Sequence, residues 1–240
     1  MEFCAMIEHE KTRISKKVDM LCILGRGIEK VEEQWIPTQY IARRSKNNEH
    51  LGIRAKEISA NDDDPRIFIA GGECNVFAAS VLFKRWQEKG RVPQIVTFAA
   101  GRPPYLSKES DSTLSEGKIL KEYFLARVDL GETKIVEQSH NQNSWDDIVE
   151  TLELARVKKL ATVCAITVLV HIPRCREILR QALQKNPQFR SVEMYFCASE
   201  FVLLDHSPNF AFLWDAMISK AFVRTADYER RAIRTLKESA

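Results

Sequence analysis

Arg66-Ile67-Phe68-Ile69-Ala70-Gly71-Gly72 is a short apolar run that ends in two glycines and opens into a helical pattern. The phrase returns as Gln94-Ile95-Val96-Thr97-Phe98-Ala99-Ala100-Gly101-Arg102. It returns again as Lys134-Ile135-Val136-Glu137-Gln138, followed by Asn141, Asn143, Ser144, Asp146 and Asp147. Apolar runs that stop at glycine or polar residues and lead into helices predict parallel strands under crossover helices. In such sheets ligands bind at the carboxyl ends of the strands, where these polar turns would gather.

Working outward, residues 18–24 (VDMLCIL) predict a buried first strand with Gly25-Arg26-Gly27 as its turn. Residues 29–59 are charged and helical in flavour, interrupted at Ile36-Pro37-Thr38. The run Asn61-Asp62-Asp63-Asp64-Pro65 is a loop, because proline disfavours a helical residue before it. Residues 76–89 place Val76, Ala79, Leu82, Phe83 and Trp86 on one helical face. A polar loop with the pair Pro103-Pro104 spans residues 103–112, and a helix follows from Ser115 to about Arg127. Strands are expected at 133–137, 162–170 and 191–197, with helices near 145–158 and 173–184 and a helical, charged end from about Phe210. The expected architecture is α/β: a Rossmann-like, doubly wound, mostly parallel sheet with helices on both faces. Residues 1–17 read as a flexible start, and 18–240 as a single domain with a helical C-terminal extension.

Composition narrows the function classes. A net charge of +3, with both signs interleaved, lacks the concentrated basic face that a nucleic-acid binder needs. The cysteines (Cys4, Cys22, Cys74, Cys164, Cys175, Cys197) are scattered without a CxxC pair, which suits a reducing compartment and argues against a disulfide framework or zinc knuckle. No apolar stretch reaches the roughly 18 residues that span a bilayer, and no signal-peptide core is present, so a cytoplasmic location is expected. Oligomeric state is not legible.

Four turns carry candidate chemistry. Gly71-Gly72-Glu73-Cys74-Asn75 joins a strand to a helix, and is either a phosphate cradle or a plain tight turn. It lacks the spacing of a dinucleotide fingerprint or a P-loop, which also counts against a nicotinamide or flavin oxidoreductase. Gly101 and Arg102 present a guanidinium fork suited to phosphate or carboxylate, or a surface arginine on a loop. Ser115 and Glu116 read first as a helix cap with a first-turn acid. In Asn143-Ser144-Trp145-Asp146-Asp147 capping explains one or two residues, and the remaining polar density favours a ligand site. His171 and Arg174 close the last of these turns, with His171 a candidate acid, base or phosphate donor. The candidate catalytic set is Glu116, Asp146 and His171. The candidate ligand-binding set is Gly71, Gly72, Asn75, Gly101, Arg102, Ser115, Asn143, Ser144, Asp147 and Arg174. No histidine shows metal-ligand spacing and no GxSxG elbow is present, although Mg²⁺ held by one or two carboxylates stays open.

The order of these motifs resembles the YdcF/SanA/ElyC family. Its pattern is a strand ending in Gly, a second Gly-rich strand end, a Ser-Glu helix start, a Ser-x-Asn-Thr-x-Glu-Asn turn and a strand ending near His-x-x-Arg. The matching positions are Gly71-Gly72, Gly101-Arg102, Ser115-Glu116, Asn143-Ser144-Trp145-Asp146-Asp147, and His171 with Arg174, across residues 66–180. Residues 18–27 add a further family-like strand. The acidic turn departs from the family as Asn-Ser-x-Asp-Asp, and Ser139 precedes Asn143 by more residues than the pattern expects. The resemblance implies a Rossmann-like sheet with a polar pocket for a nucleotide-like ligand such as S-adenosylmethionine. It implies no settled reaction and, in a chain without a membrane segment, no envelope role. The function expected is binding of a nucleotide-like or phosphorylated small molecule, with group-transfer or phosphoester chemistry if the chain is an enzyme. A non-catalytic binding or scaffold protein is the alternative.

Overall fold

The computed structural model describes residues 17–46, 49–53, 63–108, 113–138 and 140–238. Residues 1–16 of the expected flexible start (1–17), together with Asn61, Asp62, Ser112 and Ser139, lie outside the described residues. The architecture is α/β, with seven α-helices and a five-stranded parallel sheet among the described residues. The sheet comprises β1 (Met20–Leu24), β7 (Ile95–Ala99), β8 (Lys134–Gln138), β9 (Thr162–Thr167) and β10 (Glu193–Ala198), in the order β10-β9-β1-β7-β8. Every pairing within it is parallel.

Strands β1 and β7 are buried at every position, as expected where both faces of a parallel sheet are covered. Alternate residues feed two separate cores. Leu21, Ile23, Val96, Phe98, Cys164 and Ile166 pack with α1 (Gly72–Glu88) and α2 (Glu116–Leu125), through Leu82, Phe83, Leu120 and Phe124. Met20, Cys22, Ala99, Val163 and Ala165 pack with α3 (Ser144–Val157) and α4 (Ile172–Lys185), through Ile148, Leu152, Cys175 and Ile178. The first core is locked by aromatic edges: Phe83 and Phe98 each meet Phe124 at 5.7 Å between ring centroids. Helix α5 (Ser199–His206) also joins this core through Val202 and Leu203.

Two expectations are corrected. Residues 29–59 are not helical where described. They form the antiparallel pairs β2 (Ile28–Val31) with β3 (Gln34–Pro37), and β4 (Ile41–Arg44) with β5 (His50–Ile53). The two-residue turn between β2 and β3 sets Glu32 and Glu33 at φ 48° and 68°, the doubly left-handed geometry of a type I′ hairpin. That turn ordinarily advertises itself as Asn-Gly, so Glu-Glu hides it. The second correction concerns β6 (Ile67–Ile69), which does not join the main sheet. It pairs antiparallel with β4 in a separate sheet of order β5-β4-β6, because Arg43, Ala42 and Ile41 run alongside it.

After α6 (Phe212–Met217), α7 (Lys220–Glu238) runs back against β6, α4 and the 3₁₀ turn Leu169–His171. Its buried residues, Ala221, Thr225 and Glu229, recur every four positions and form one stripe. Thr225 Oγ1 accepts from the Ile69 N–H at 2.9 Å. The C-terminal helix thus carries Glu229 to the carboxyl end of the parallel sheet.

Candidate functional site

The site grows from the turn after β1. The Gly27 N–H donates to the buried Glu116 carboxylate, so the first residue of α2 holds the β1 turn in place. Between the two glycines Arg26 reaches outward. Its Nη2 donates to Ile69 O at 3.0 Å, its Nε to Ala70 O at 3.2 Å and its Nη1 to Glu229 Oε1 at 3.2 Å. One guanidinium therefore ties the ends of β1 and β6 to α7.

Glu229 is the hub. Its Oε1 lies 3.0 Å from His171 Nδ1, and its Oε2 lies 3.6 Å from Arg174 Nη1. Although burial opposes ionisation, His171, Arg26 and Arg174 hold the Glu229 carboxyl down to a pKa of about 2. Burial, with Arg26 beside it, lowers the His171 pKa below its ordinary value, while Glu229 opposes that shift. On its far side His171 Nε2 meets Ser144 Oγ at 3.4 Å.

Ser144 begins α3, and Asp147 follows it by three residues on the same face. Asn141 Nδ2 donates to Asp147 Oδ1 at 2.9 Å. Burial raises the Asp147 and Glu116 carboxyls toward the neutral form, and the nearby Glu116 pushes Asp147 further up. Such a pair suits proton donation better than holding a hard dication, which wants ionised oxygen ligands. Among the described residues no three His, Cys, Asp or Glu side chains cluster as a metal site.

Of these groups Arg26, Glu116, Arg174 and Glu229 line a cleft of about 1230 Å³, whose other cations are Arg44, Lys46, Arg66, Arg224 and Arg231. Its carboxyls are Glu49, Glu116, Asp227 and Glu229, so seven cations face four acids, one of which burial disfavours as an anion. Part of the wall is aromatic. Arg44 lies over the Phe68 ring at 4.9 Å, and His50 meets Phe68 at 5.0 Å and Tyr105 at 5.4 Å. Burial lowers the His50 pKa to about 4, so it adds no charge at neutral pH. Arg174 Nε and Glu229 Oε2 are buried and make no hydrogen bond.

Several sequence candidates serve the scaffold instead. Gly71, at φ 94°, and Gly72 allow contact between backbones, since a Cβ on Gly72 would lie 2.4 Å from Gly27 O. The N–H of Glu73 is already taken by Thr38 O at 2.9 Å, which removes one donor from an anion cradle there. Buried Asn75 donates to Leu24 O at 2.9 Å. Gly101 abuts the backbone of Asn141. Arg102 turns its fork onto Leu114 O at 2.8 Å and Leu106 O at 2.5 Å, clasping the loop rather than lining the cleft. Ser115 caps α2 by accepting from Lys118 N, and Asn143 caps α3 by accepting from Trp145 N and Asp146 N. Asp146 accepts from Gln142 N and Asn143 Nδ2 within its own loop.

The structure brings Glu116, Ser144, Asp147, His171 and Arg174 to one edge. Arg26, Arg44, Arg66 and Glu229 join them without having been singled out. The Gly25-Arg26-Gly27 turn at the end of β1 was a usable signal for Arg26. Glu229 had none beyond the four-residue spacing of Ala221, Thr225 and Glu229. Among the described residues no helix is long and apolar enough to cross a membrane. No protein-family profile, curated protein or solved structure matches the chain.

Proposed function

We propose that this chain binds a phosphorylated or nucleotide-like small molecule in the cleft at the carboxyl end of its parallel sheet. The observation that carries the reading is the convergence of seven cationic side chains, Arg26 and Arg174 among them, on one cleft. Arginine forks match phosphate oxygens in pairs, and a cation-rich cleft concentrates anionic ligands. The topology supports the same reading. Counting only the parallel strands in chain order, the sheet runs 5-4-1-2-3, and the winding reverses beside the first strand. That order supports reading the sheet as Rossmann-like and doubly wound, a class whose ligands sit at the switch point. The resemblance to the YdcF/SanA/ElyC family points to a polar pocket at the same strand ends.

Within the ligand class, the arginine-rich wall favours phosphorylated members over S-adenosylmethionine, whose sulfonium carries positive charge. Group-transfer or phosphoester chemistry is the enzymatic form of the reading. Arg26 and Arg174 would hold the anion, and Glu116, Asp147 or His171 would handle protons. The scaffold alternative draws support from Arg102, Ser115, Asn143 and Asp146, all of which are engaged in loop and cap contacts.

A thermal-shift panel tests the reading, with inorganic phosphate, adenine and uridine nucleotides, nucleotide sugars and S-adenosylmethionine, each with and without Mg²⁺. A ligand at about a hundred times its dissociation constant adds roughly 2.7 kcal/mol, a shift of several degrees for a chain of this size. The expected hit is a phosphorylated compound whose shift is lost in Arg174→Ala. No shift across the panel would leave the scaffold reading in place.

A further inference from the structure

The cleft is cationic in one part of its lining and aromatic in another, and the two parts are joined. Phe68 lies between Ile67 and Ile69 on β6, both of which enter the first core. Because side chains alternate along a strand, Phe68 falls on the other face, and it lines the cleft. Its ring meets His50 at 5.0 Å, and His50 meets Tyr105 at 5.4 Å, so three lining rings are contiguous. Tyr105 is fixed by its hydroxyl, which accepts from Ile28 N and donates to Ile28 O, each at 3.2 Å. On α7, Arg224, Asp227, Tyr228 and Arg231 recur at helical spacing, and all four line the cleft. The Arg44 guanidinium joins the two parts, 4.9 Å from the centre of the Phe68 ring and 5.7 Å from that of Tyr228. Neither Phe68 nor Tyr228 belongs to a hydrophobic core of the described residues, and Tyr228 is 47% exposed. Core packing therefore does not account for these two rings. Arg44 and Arg231 pair with no carboxylate among the described residues, whereas Arg26 and Arg174 share Glu229 and Arg66 is taken by Asp64.

We propose that the ligand of this cleft is a nucleoside diphosphate or triphosphate, its base laid against Phe68 and Tyr228 and its phosphates on the arginines. The proposal rests on the anion-binding reading above and narrows it. A flat heteroaromatic base covers apolar rings and stacks on guanidinium planes such as that of Arg44. Inorganic phosphate and sugar phosphates have no flat apolar face to present to Phe68. The cations of the cleft come from the turn after β1 (Arg26), from β4 (Arg44), from α4 (Arg174) and from α7 (Arg231). A chain of two or three phosphoryl groups matches cations from four elements better than a single group does.

Calorimetric titration of wild type compares ADP, GDP, CDP and UDP with pyrophosphate, which lacks the base, and with the matching monophosphates, which lack the second phosphate. Stacking on one aromatic side chain is worth about 5- to 150-fold per base, so the tightest nucleoside diphosphate should bind at least about fivefold more tightly than pyrophosphate. It should also bind more tightly than its own monophosphate. Tyr228→Ala, checked for folding by circular dichroism, should lower the ratio of nucleotide to pyrophosphate affinity by about fivefold or more. Phe68→Leu should lower it in the same direction. Saturation-transfer NMR on wild type needs no variant, and the base protons should receive more saturation than the ribose protons. Pyrophosphate or the monophosphate binding as tightly as every nucleoside diphosphate overturns the proposal. An unchanged ratio in folded Tyr228→Ala, or saturation strongest on the ribose, also overturns it. Pyrophosphate binding alongside any of these results leaves the anion site standing. No binding by pyrophosphate or by any nucleotide rejects the anion site itself.

Discussion

Replacing Glu229 by glutamine should destabilise the fold by about 3 kcal/mol at neutral pH. The carboxylate is buried and meets Arg26, His171 and Arg174, and together they lower its pKa from 4.5 to about 2. At 1.36 kcal/mol per pKa unit this preference for the ionised form is worth about 3 kcal/mol. Removing one partner of a buried ion pair costs a similar amount, roughly 3–5 kcal/mol. Arg26 keeps its bonds to Ile69 O and Ala70 O in the variant, which places the expectation at the lower end. A loss of 3 kcal/mol corresponds to a fall in Tm of about 6–12 °C for a chain of this length.

The sign of the pH dependence follows from the depressed pKa. The stabilisation is fully present above the ordinary carboxylate range and disappears as pH falls from about 4.5 toward about 2. His171, whose pKa burial lowers, adds acid sensitivity in the same direction below its ordinary value of 6.5. Urea denaturation of wild type and Glu229→Gln at several pH values measures the gap between them. It should be near 3 kcal/mol at neutral pH and should close in acid. A gap below about 1 kcal/mol, or one that does not change with pH, would refute the reasoning.

Three further substitutions test the scaffold. Gly101→Ala puts a Cβ 1.5 Å from the Asn141 carbonyl oxygen, so it should cost at least the 1–3 kcal/mol typical of overpacking, read as a lower urea midpoint. Asn143→Ala removes the cap on α3 and should cost about 1 kcal/mol by the same assay, with phosphate binding retained. Phe124→Ala removes the ring that joins Phe83 to Phe98 and should cost about 3–5 kcal/mol, with loss of near-ultraviolet dichroism.

The parallel sheet was legible because its strands are apolar on both faces, so β1, β7 and β9 read as unbroken runs. The hairpins at β2–β5 were not, because each strand holds only four residues and several positions are exposed. Lys30, Glu32, Glu33, Arg43 and Arg44 therefore look like a solvated helix. β6 reads correctly as a strand, but its sheet depends on a partner, β4, that periodicity did not reveal. Glu116, Asp147, His171 and Arg174 stood out in the sequence as polar residues near strand ends, and the structure gathers them at one edge. Arg102 shared that signature and still turned inward, because the carbonyls of Leu106 and Leu114 compete for its fork. Glu229 sits among Asp227, Arg230 and Arg231, and only docking of α7 distinguishes the one that is buried.

The central claim is that the cleft at the carboxyl end of the sheet holds an anionic ligand through its arginines. Isothermal titration of pyrophosphate into wild type and Arg174→Ala at two salt concentrations tests it directly. Saturable one-site binding that weakens with salt and is lost in the folded Arg174→Ala variant is the predicted result. Absence of binding to wild type, or equal binding by the variant, would contradict it.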